Sequence, residues 1–157
     1  MMTTEKKWHF EDFVVGQTIQ IGSRSVTEEE IISFARQFDP QPFHVDTEAA
    51  AQSIFGGIIA SGWHTCGLIM RLMVDGFLAD STSMGSPGVD EIRWITPVRP
   101  GDTLSVSTTI LDVKASKSKA DRGVVWTEWR ATNQHGELVA TIKGMGMFLR
   151  RKEDMNQ

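Results

Sequence analysis

Residues 61–79, SGWHTCGLIMRLMVDGFLA, constrain the fold more than any other stretch of the chain. Trp63, Cys66, Ile69, Met70, Leu72, Met73, Val74, Phe77 and Leu78 cover most of a helix circumference, and a helix that is apolar nearly all round is one that a core surrounds. At about 1.5 Å per residue the segment is roughly 25 Å long, enough to run through the middle of a small domain. One narrow polar stripe survives, because His64, Arg71 and Asp75 are spaced at close to whole turns. The rest of the chain has to provide a layer that wraps this helix.

The sequence changes period where that layer is needed. GVDEIRWITPV predicts a short strand that ends in the turn cluster PVRPGD, and TLSVSTTILDV then puts Leu104, Val106, Thr108 and Ile110 on one face. VVWTEWRAT and ELVATIKGMGMFLRR follow as strands joined by NQHG, where Gly136 can supply a positive φ. Upstream, VGQTIQIGSRSV alternates as a first strand. The predicted order is strand, helices, then four strands in antiparallel succession. This is an α+β layout with one buried helix against one curved sheet.

VTEEEIISFARQF carries complete helix-start chemistry. Thr27 and Glu30 form a capping box, Val26 and Ile31 a hydrophobic staple, and Ile31, Phe34, Ala35 and Phe38 recur at helical spacing. Pro40 disfavours helical backbone at Asp39 and Pro42 does so at Gln41, so the helix should end at Asp39 and residues 39–43 should run extended. Asp46 or Thr47 can then cap a short helix through TEAAAQSIF.

That punctuation isolates FDPQPFHVD, with Asp39 and His44 on either side of two prolines. A carboxyl and an imidazole are the commonest acid–base groups, and such a loop can hold them without helix or sheet bonds. The competing structural reading has Asp39 ending a helix and His44 half-buried beside Phe43. Gly62 opens the long helix, whose first turn leaves unpaired N–H groups for a developing oxyanion, and a glycine there lets a carbonyl approach the backbone. Gly56 and Gly57 would let the chain bend into it. His64 could face the same pocket, although a histidine on such a helix is more often a structural residue. Trp94, Trp126 and Trp129 could line a pocket, a dimer interface or only the core, and core is the safer reading. The basic run Lys114, Lys117, Lys119 and Arg122 could meet the phosphates of a large cofactor, but a solvated hairpin explains it as well.

The bounds narrow the rest. A chain of 157 residues fits one domain, and a formal charge of −4 gives no general attraction to nucleic acid or acidic membrane. Cys66 is the only cysteine, so neither an internal disulfide nor a cysteine-based zinc cluster is expected. MMTTEKKWHF lacks the apolar run of a secretory signal, and no stretch is long and apolar enough to span a bilayer, so a cytoplasmic protein is expected. There is neither a Walker-type phosphate loop nor a dinucleotide fingerprint.

FDPQPFHVD, FGGIIASGWHTCGLIMRLM and RWITPVRPGDTL together resemble three landmarks of the MaoC-like dehydratase and (R)-specific enoyl-CoA hydratase family, which includes NodN-like members. The family pattern D-x-N-P-x-H is matched in spacing by Asp39, Pro40, Gln41, Pro42, Phe43 and His44. Ser61 and Gly62 match the start of the family's central helix, and Pro97, Val98, Gly101 and Asp102 match its P-V-x-x-G-D turn. The chain departs from the pattern with Gln41 where asparagine is usual and Phe38 where a small residue is usual. The resemblance covers almost the whole chain and implies one hotdog domain over 1–157 with an ordered core of about 10–150: a long helix wrapped by a five-stranded antiparallel sheet. It implies a homodimer or higher homo-oligomer with continuous sheets, acting on an acyl-CoA thioester, with no nucleic acid or membrane partner. No cofactor or metal is expected beyond the coenzyme A of the substrate. The implied reaction is reversible hydration of a trans-2-enoyl-CoA to the (R)-3-hydroxyacyl-CoA. Asp39 and His44 would form the dyad, Gly62 would donate to the oxyanion, and Ser61, Gln41 and His64 would complete the binding site. The alternatives are a non-catalytic acyl-CoA or protein-binding hotdog module and, on the same fold, a thioesterase. The thioesterase would want a carboxylate on the long helix, where Asp75 stands far from Gly62.

Overall fold

In the computed structural model, which describes residues 5–155, five antiparallel strands curl around one long helix in the hotdog arrangement. The strands are β1 (Thr18–Ser25), β2 (Val89–Trp94), β3 (Thr103–Ala115), β4 (Arg122–Thr132) and β5 (Leu138–Leu149), in the spatial order β1-β3-β4-β5-β2. The helices are α1 (Glu28–Phe38), the short α2 (Pro42–Val45) and α3 (Thr47–Gln52), and the long α4 (Gly62–Gly76). Among the described residues no helix is long and apolar enough to cross a membrane.

Cross-strand rows explain how the sheet fits the helix. Gly22, Val106, Ala131, Ala140 and Trp94 lie opposite one another from β1 to β2, and Ile19, Thr108, Trp129, Ile142 and Ile92 form the next inward-facing row. Gly22, Ala131 and Ala140 are the small members of the first row. A Cβ at Gly22 would stand 3.8 Å from the Leu72 side chain, an ordinary contact, whereas a Cβ at Gly76 would come within 2.5 Å of the Ile21 carbonyl oxygen, so only glycine ends the helix there. The outward-facing row is charged, with Lys143 between Glu91 at 3.8 Å and Glu128 at 3.7 Å. Such alternation is what a sheet with one wet face requires.

The α1 start forms as its residues dictate: Glu30 N–H donates to Thr27 Oγ1 at 3.1 Å, Thr27 N–H donates to Glu30 Oε2 at 3.4 Å, and Val26 and Ile31 are buried. Asp46 caps α3, accepting from Glu48 and Ala49 N–H. Gly136 takes φ +76 in the β4–β5 turn.

Four expectations need correction. The strands after α4 are not in simple succession, because β2 pairs with β5 and only β3, β4 and β5 run as neighbours in sequence order. The PVRPGD segment does not close a hairpin. It crosses to the other side of the helix start, where Val98 accepts from Ala60 N–H, Asp102 accepts from Val26 N–H, and Gly101 donates to Val26. Residues 39–43 are not extended throughout, since Pro42 starts α2 in the first helical position, where a missing N–H costs nothing. Nor is α4 buried all round or as long as expected. It ends at Gly76, and Trp63 (58% exposed), Met70 (43%) and Val74 leave one apolar side uncovered, because the five strands wrap only part of it. Its polar stripe also divides, with His64 buried while Arg71 and Asp75 form an exposed ion pair at 2.7 Å.

Candidate active site

The two prolines and a backbone strap build the site. Asp39 N–H donates to Ala35 and closes α1, Pro40 prevents continuation, and Pro42 restarts the chain as α2, whose third residue is His44. Residues 58–60 run alongside: Ile59 N–H donates to the Phe43 carbonyl and Ala60 N–H to Val98. The strap thus ties α2, the PVRPGD crossing and the start of α4 into one unit.

Within that unit Asp39, Gln41 and His44 come together. The Gln41 amide donates to Asp39 Oδ1 at 2.7 Å, and His44 Nε2 stands 3.3 Å from Asp39 Oδ2. His44 is buried, and its Nδ1 lies 2.7 Å from the Ile59 carbonyl oxygen. A carbonyl can only accept, so Nδ1 carries the proton and the lone pair of the neutral ring is on Nε2, facing Asp39. The Asp39 side chain is 18% exposed. Burial pushes its carboxyl pKa up, but the Gln41 amide, the Ser61 hydroxyl and the positive charge of His44 when its ring is protonated outweigh that and hold it below the usual carboxylate range. The site therefore offers a fixed carboxylate beside an imidazole with a set tautomer.

Ser61 and Gly62 border this pair at the start of α4. Ser61 is fully buried and caps the helix, its Oγ accepting from Trp63 N–H at 3.3 Å. Among the described residues no acceptor meets the Gly62 N–H, which leaves it available at the positive end of the helix. The reason for a glycine here differs from the one expected. A Cβ at position 62 would come within 2.4 Å of the Trp94 ring, so the space that a side chain would need is filled by an indole. Trp94 Nε1–H also donates to the Gly62 carbonyl at 3.0 Å. A cavity of about 340 Å³ at this point is lined by His44, Gly62, Thr65, Trp94, Pro97 and Val98 among others.

His64 is not part of this group. Its ring stacks on Phe34 at 4.8 Å, in a separate surface cleft with Arg24 and Glu30, and burial lowers its pKa. Asp75 lies at the far end of α4, paired with Arg71 and away from Asp39 and His44. The lysines of the basic run are exposed on the β3–β4 hairpin, with Arg122 held by Asp121 at 2.8 Å. Among the described residues no three potential metal-ligating side chains cluster. Two participants carried no usable signal in the sequence. The Ile59 carbonyl is a backbone atom, and Trp94 was indistinguishable from the core tryptophans because its place over Gly62 depends on β2 pairing with β5.

The chain matches the family model described as a MaoC like domain over residues 12–130. It is 33% identical over 140 residues to the uncharacterized protein YdeM of Bacillus subtilis, covering 85% of this chain and 97% of that one. It is 27% identical over 114 residues to the (R)-specific enoyl-CoA hydratase of Rhodospirillum rubrum, covering 69% of this chain and 74% of that one. The crystal structure of the MaoC-like dehydratase from Rhodospirillum rubrum superposes with a TM-score of 0.85 at 42% identity, over 92% of this chain and 99% of that chain.

Proposed function

This chain belongs to the MaoC-like dehydratase family of hydro-lyases, and on that premise we propose that Asp39 and His44 carry out reversible hydration of a trans-2-enoyl-CoA to the (R)-3-hydroxyacyl-CoA. The observation that carries the reading is the pair His44 Nε2 and Asp39 Oδ2, two acceptor atoms 3.3 Å apart with the imidazole proton held on the opposite nitrogen by Ile59. Two acceptors at that distance repel unless they share a proton or jointly accept the hydrogens of one water. A water held in this way keeps a lone pair free for an electrophilic carbon.

In the hydration direction the water oxygen bonds to the β-carbon as His44 Nε2 takes one of its protons. The π electrons of the enoyl group move through the α-carbon to the thioester oxygen. That charge is met by the free Gly62 N–H and the positive end of α4, an arrangement worth about 3–4 kcal/mol of barrier when donors are preorganised. The enolate then collapses as the proton taken from water is returned from the dyad to the α-carbon, so one water is added in all. Gln41 keeps Asp39 oriented throughout and favours its charged form.

The same reading includes a homodimer. Trp63, Met70, Val89, Trp94 and Ile95 are exposed apolar side chains around the helix start and β2, and β2 is an edge strand paired on one side only. Pairing β2 with its counterpart in a second copy would cover them and continue the sheet.

The test follows the absorbance of the conjugated enoyl thioester with purified protein and a panel of trans-2-enoyl-CoAs, with a thiol reagent in parallel. Loss of conjugation without thiol release is expected. Thiol release in step with turnover would instead make the protein a thioesterase, and tight binding with no turnover across the panel would make it a binding module.

A further inference from the structure

The chemistry above uses the first turn of α4 and leaves a larger cavity beside it unexplained. This cavity, about 530 Å³, lies between α4 and the concave face of the sheet, lined by the buried Met73 of the helix and by Ile92, Trp129 and Ile142 of the strands, with the half-exposed Met70 at its margin. Gly144 and Gly146 of β5 lie in its wall, and a Cβ at Gly144 would stand 3.2–3.3 Å from Gly88 and Val89, so the glycine lets that segment close the cavity at this end. It begins at Cys66, one turn or about 6 Å along α4 from Gly62. None of the residues lining it carries a charged side chain.

Ser83, Ser86, Thr108 and Thr127 are the hydroxyl-bearing residues in the lining, and among them only Thr108 has a hydroxyl that is both buried and unpartnered among the described residues. Thr108 lines the cavity at 1% exposure, and its Oγ1 has no hydrogen-bond partner among the described residues. Its neighbours in the row, Ile19 and Trp129, offer no side-chain acceptor. Val106 and Ile110, two positions away on either side and on the same face, are buried aliphatics that fit the core. A valine at 108 would fill the same space without a hydroxyl to desolvate. A buried hydroxyl left unpaired is unfavourable, so the partner should come from whatever occupies the cavity.

We propose that this cavity receives the acyl tail of the thioester and that Thr108 selects tails bearing a neutral oxygen, a hydroxyl or keto group, over plain alkyl tails; this rests on the hydratase reading above. A carboxylate tail is disfavoured because the cavity offers no cation to offset its desolvation. Thr108 lies one inward row beyond that of Trp94, about 7 Å along the strands, and three strands across the sheet. An oxygen that reaches it belongs on the far part of a medium-length chain rather than next to the thioester.

The experiment measures dissociation constants on the full chain by calorimetry. Saturated acyl-CoAs from hexanoyl to dodecanoyl are each paired with their penultimate-hydroxy and penultimate-keto counterparts. At least one oxygenated tail should bind about 3- to 10-fold tighter than its plain partner, the usual effect of one buried hydrogen bond. Thr108→Val should erase that preference while tightening the plain tail, and Thr108→Ser should retain it. A ratio near one across the wild-type panel, or a preference that survives Thr108→Val, overturns the assignment. Turnover of enoyl-CoAs with ratios near one removes only the role of Thr108. Absence of binding by any acyl-CoA overturns both this proposal and the hydratase reading. Should Thr108→Val not fold, the wild-type ratios and Thr108→Ser decide the question.

Discussion

Asp39→Asn alters the chemistry of the proposed dyad while keeping its size. In the native site Oδ1 accepts from Gln41 at 2.7 Å and Oδ2 faces His44 Nε2 at 3.3 Å. An asparagine turned to keep the Gln41 bond places its NH2 where Oδ2 stood, and that group donates into the Nε2 lone pair because Ile59 fixes the proton on Nδ1. The base becomes occupied, and the second acceptor for the water is lost. General acid–base assistance contributes roughly 10²–10⁴ in rate, which is about 2.7–5.4 kcal/mol of barrier at 1.36 kcal/mol per decade. Folding should change little, within about 1 kcal/mol, since the Asp39 N–H bond to Ala35 survives. The assay is steady-state hydration of a good enoyl-CoA, followed by loss of conjugation, together with a melting curve and acyl-CoA affinity for each protein. The expected result is a fall in kcat of about a hundredfold or more with acyl-CoA affinity and melting nearly unchanged. A variant within about threefold of wild-type kcat would refute the shared-water geometry.

Three other outcomes follow from particular contacts. Gly62→Ala drives a methyl group into Trp94, which must move and lose its bond to the Gly62 carbonyl; a loss of about 1–3 kcal/mol in denaturant unfolding and altered tryptophan fluorescence are expected, and unchanged spectra and stability would contradict the packing. His64 has a lowered pKa in the fold because it is buried, so the unfolded chain binds its proton first. Stability from this residue is therefore complete above the unfolded value of about 6.5 and is lost as pH falls through the folded value below it. His64→Phe should flatten the melting temperature over that acidic range relative to wild type, and parallel pH profiles would disprove the assignment. Trp63→Asp places a charge on the exposed apolar rim and should shift the protein from dimer to monomer in analytical ultracentrifugation; a wild-type chain that sediments as a monomer would remove the proposed interface.

The parts of the fold that were legible in the sequence are those decided within a few residues. The capping box at Thr27 and Glu30, the alternation of Leu104, Val106, Thr108 and Ile110, and the stop at Pro40 all reflect local stereochemistry, and each has its expected local form. Features set by distant partners were not legible. PVRPGD has turn composition whether it closes a hairpin or crosses the helix start, and only pairing of Ile92 with Ile142 decides between these. An apolar residue on α4 looks the same whether the sheet covers it, as with Ile69, or nothing in the chain does, as with Trp63. The period of a sequence states that a surface needs cover without stating what supplies it.

The candidate site combines both kinds of information, which is why its residue types could be read while its tautomer could not. The spacing of Asp39 and His44 around two prolines already isolates an acid and an imidazole, and the fold brings them to within 3.3 Å. What the imidazole offers to that acid depends on Nδ1, and Nδ1 is controlled by a main-chain carbonyl at residue 59. Any side chain at 59 would present the same oxygen, so no residue type there could announce the function. The carbonyl is in place because the strap is bonded to Phe43 on one side and Val98 on the other. The turn motif PVRPGD thereby acts on the dyad at one remove: by holding Ala60 it fixes Ile59, and by fixing Ile59 it leaves the His44 lone pair directed at Asp39.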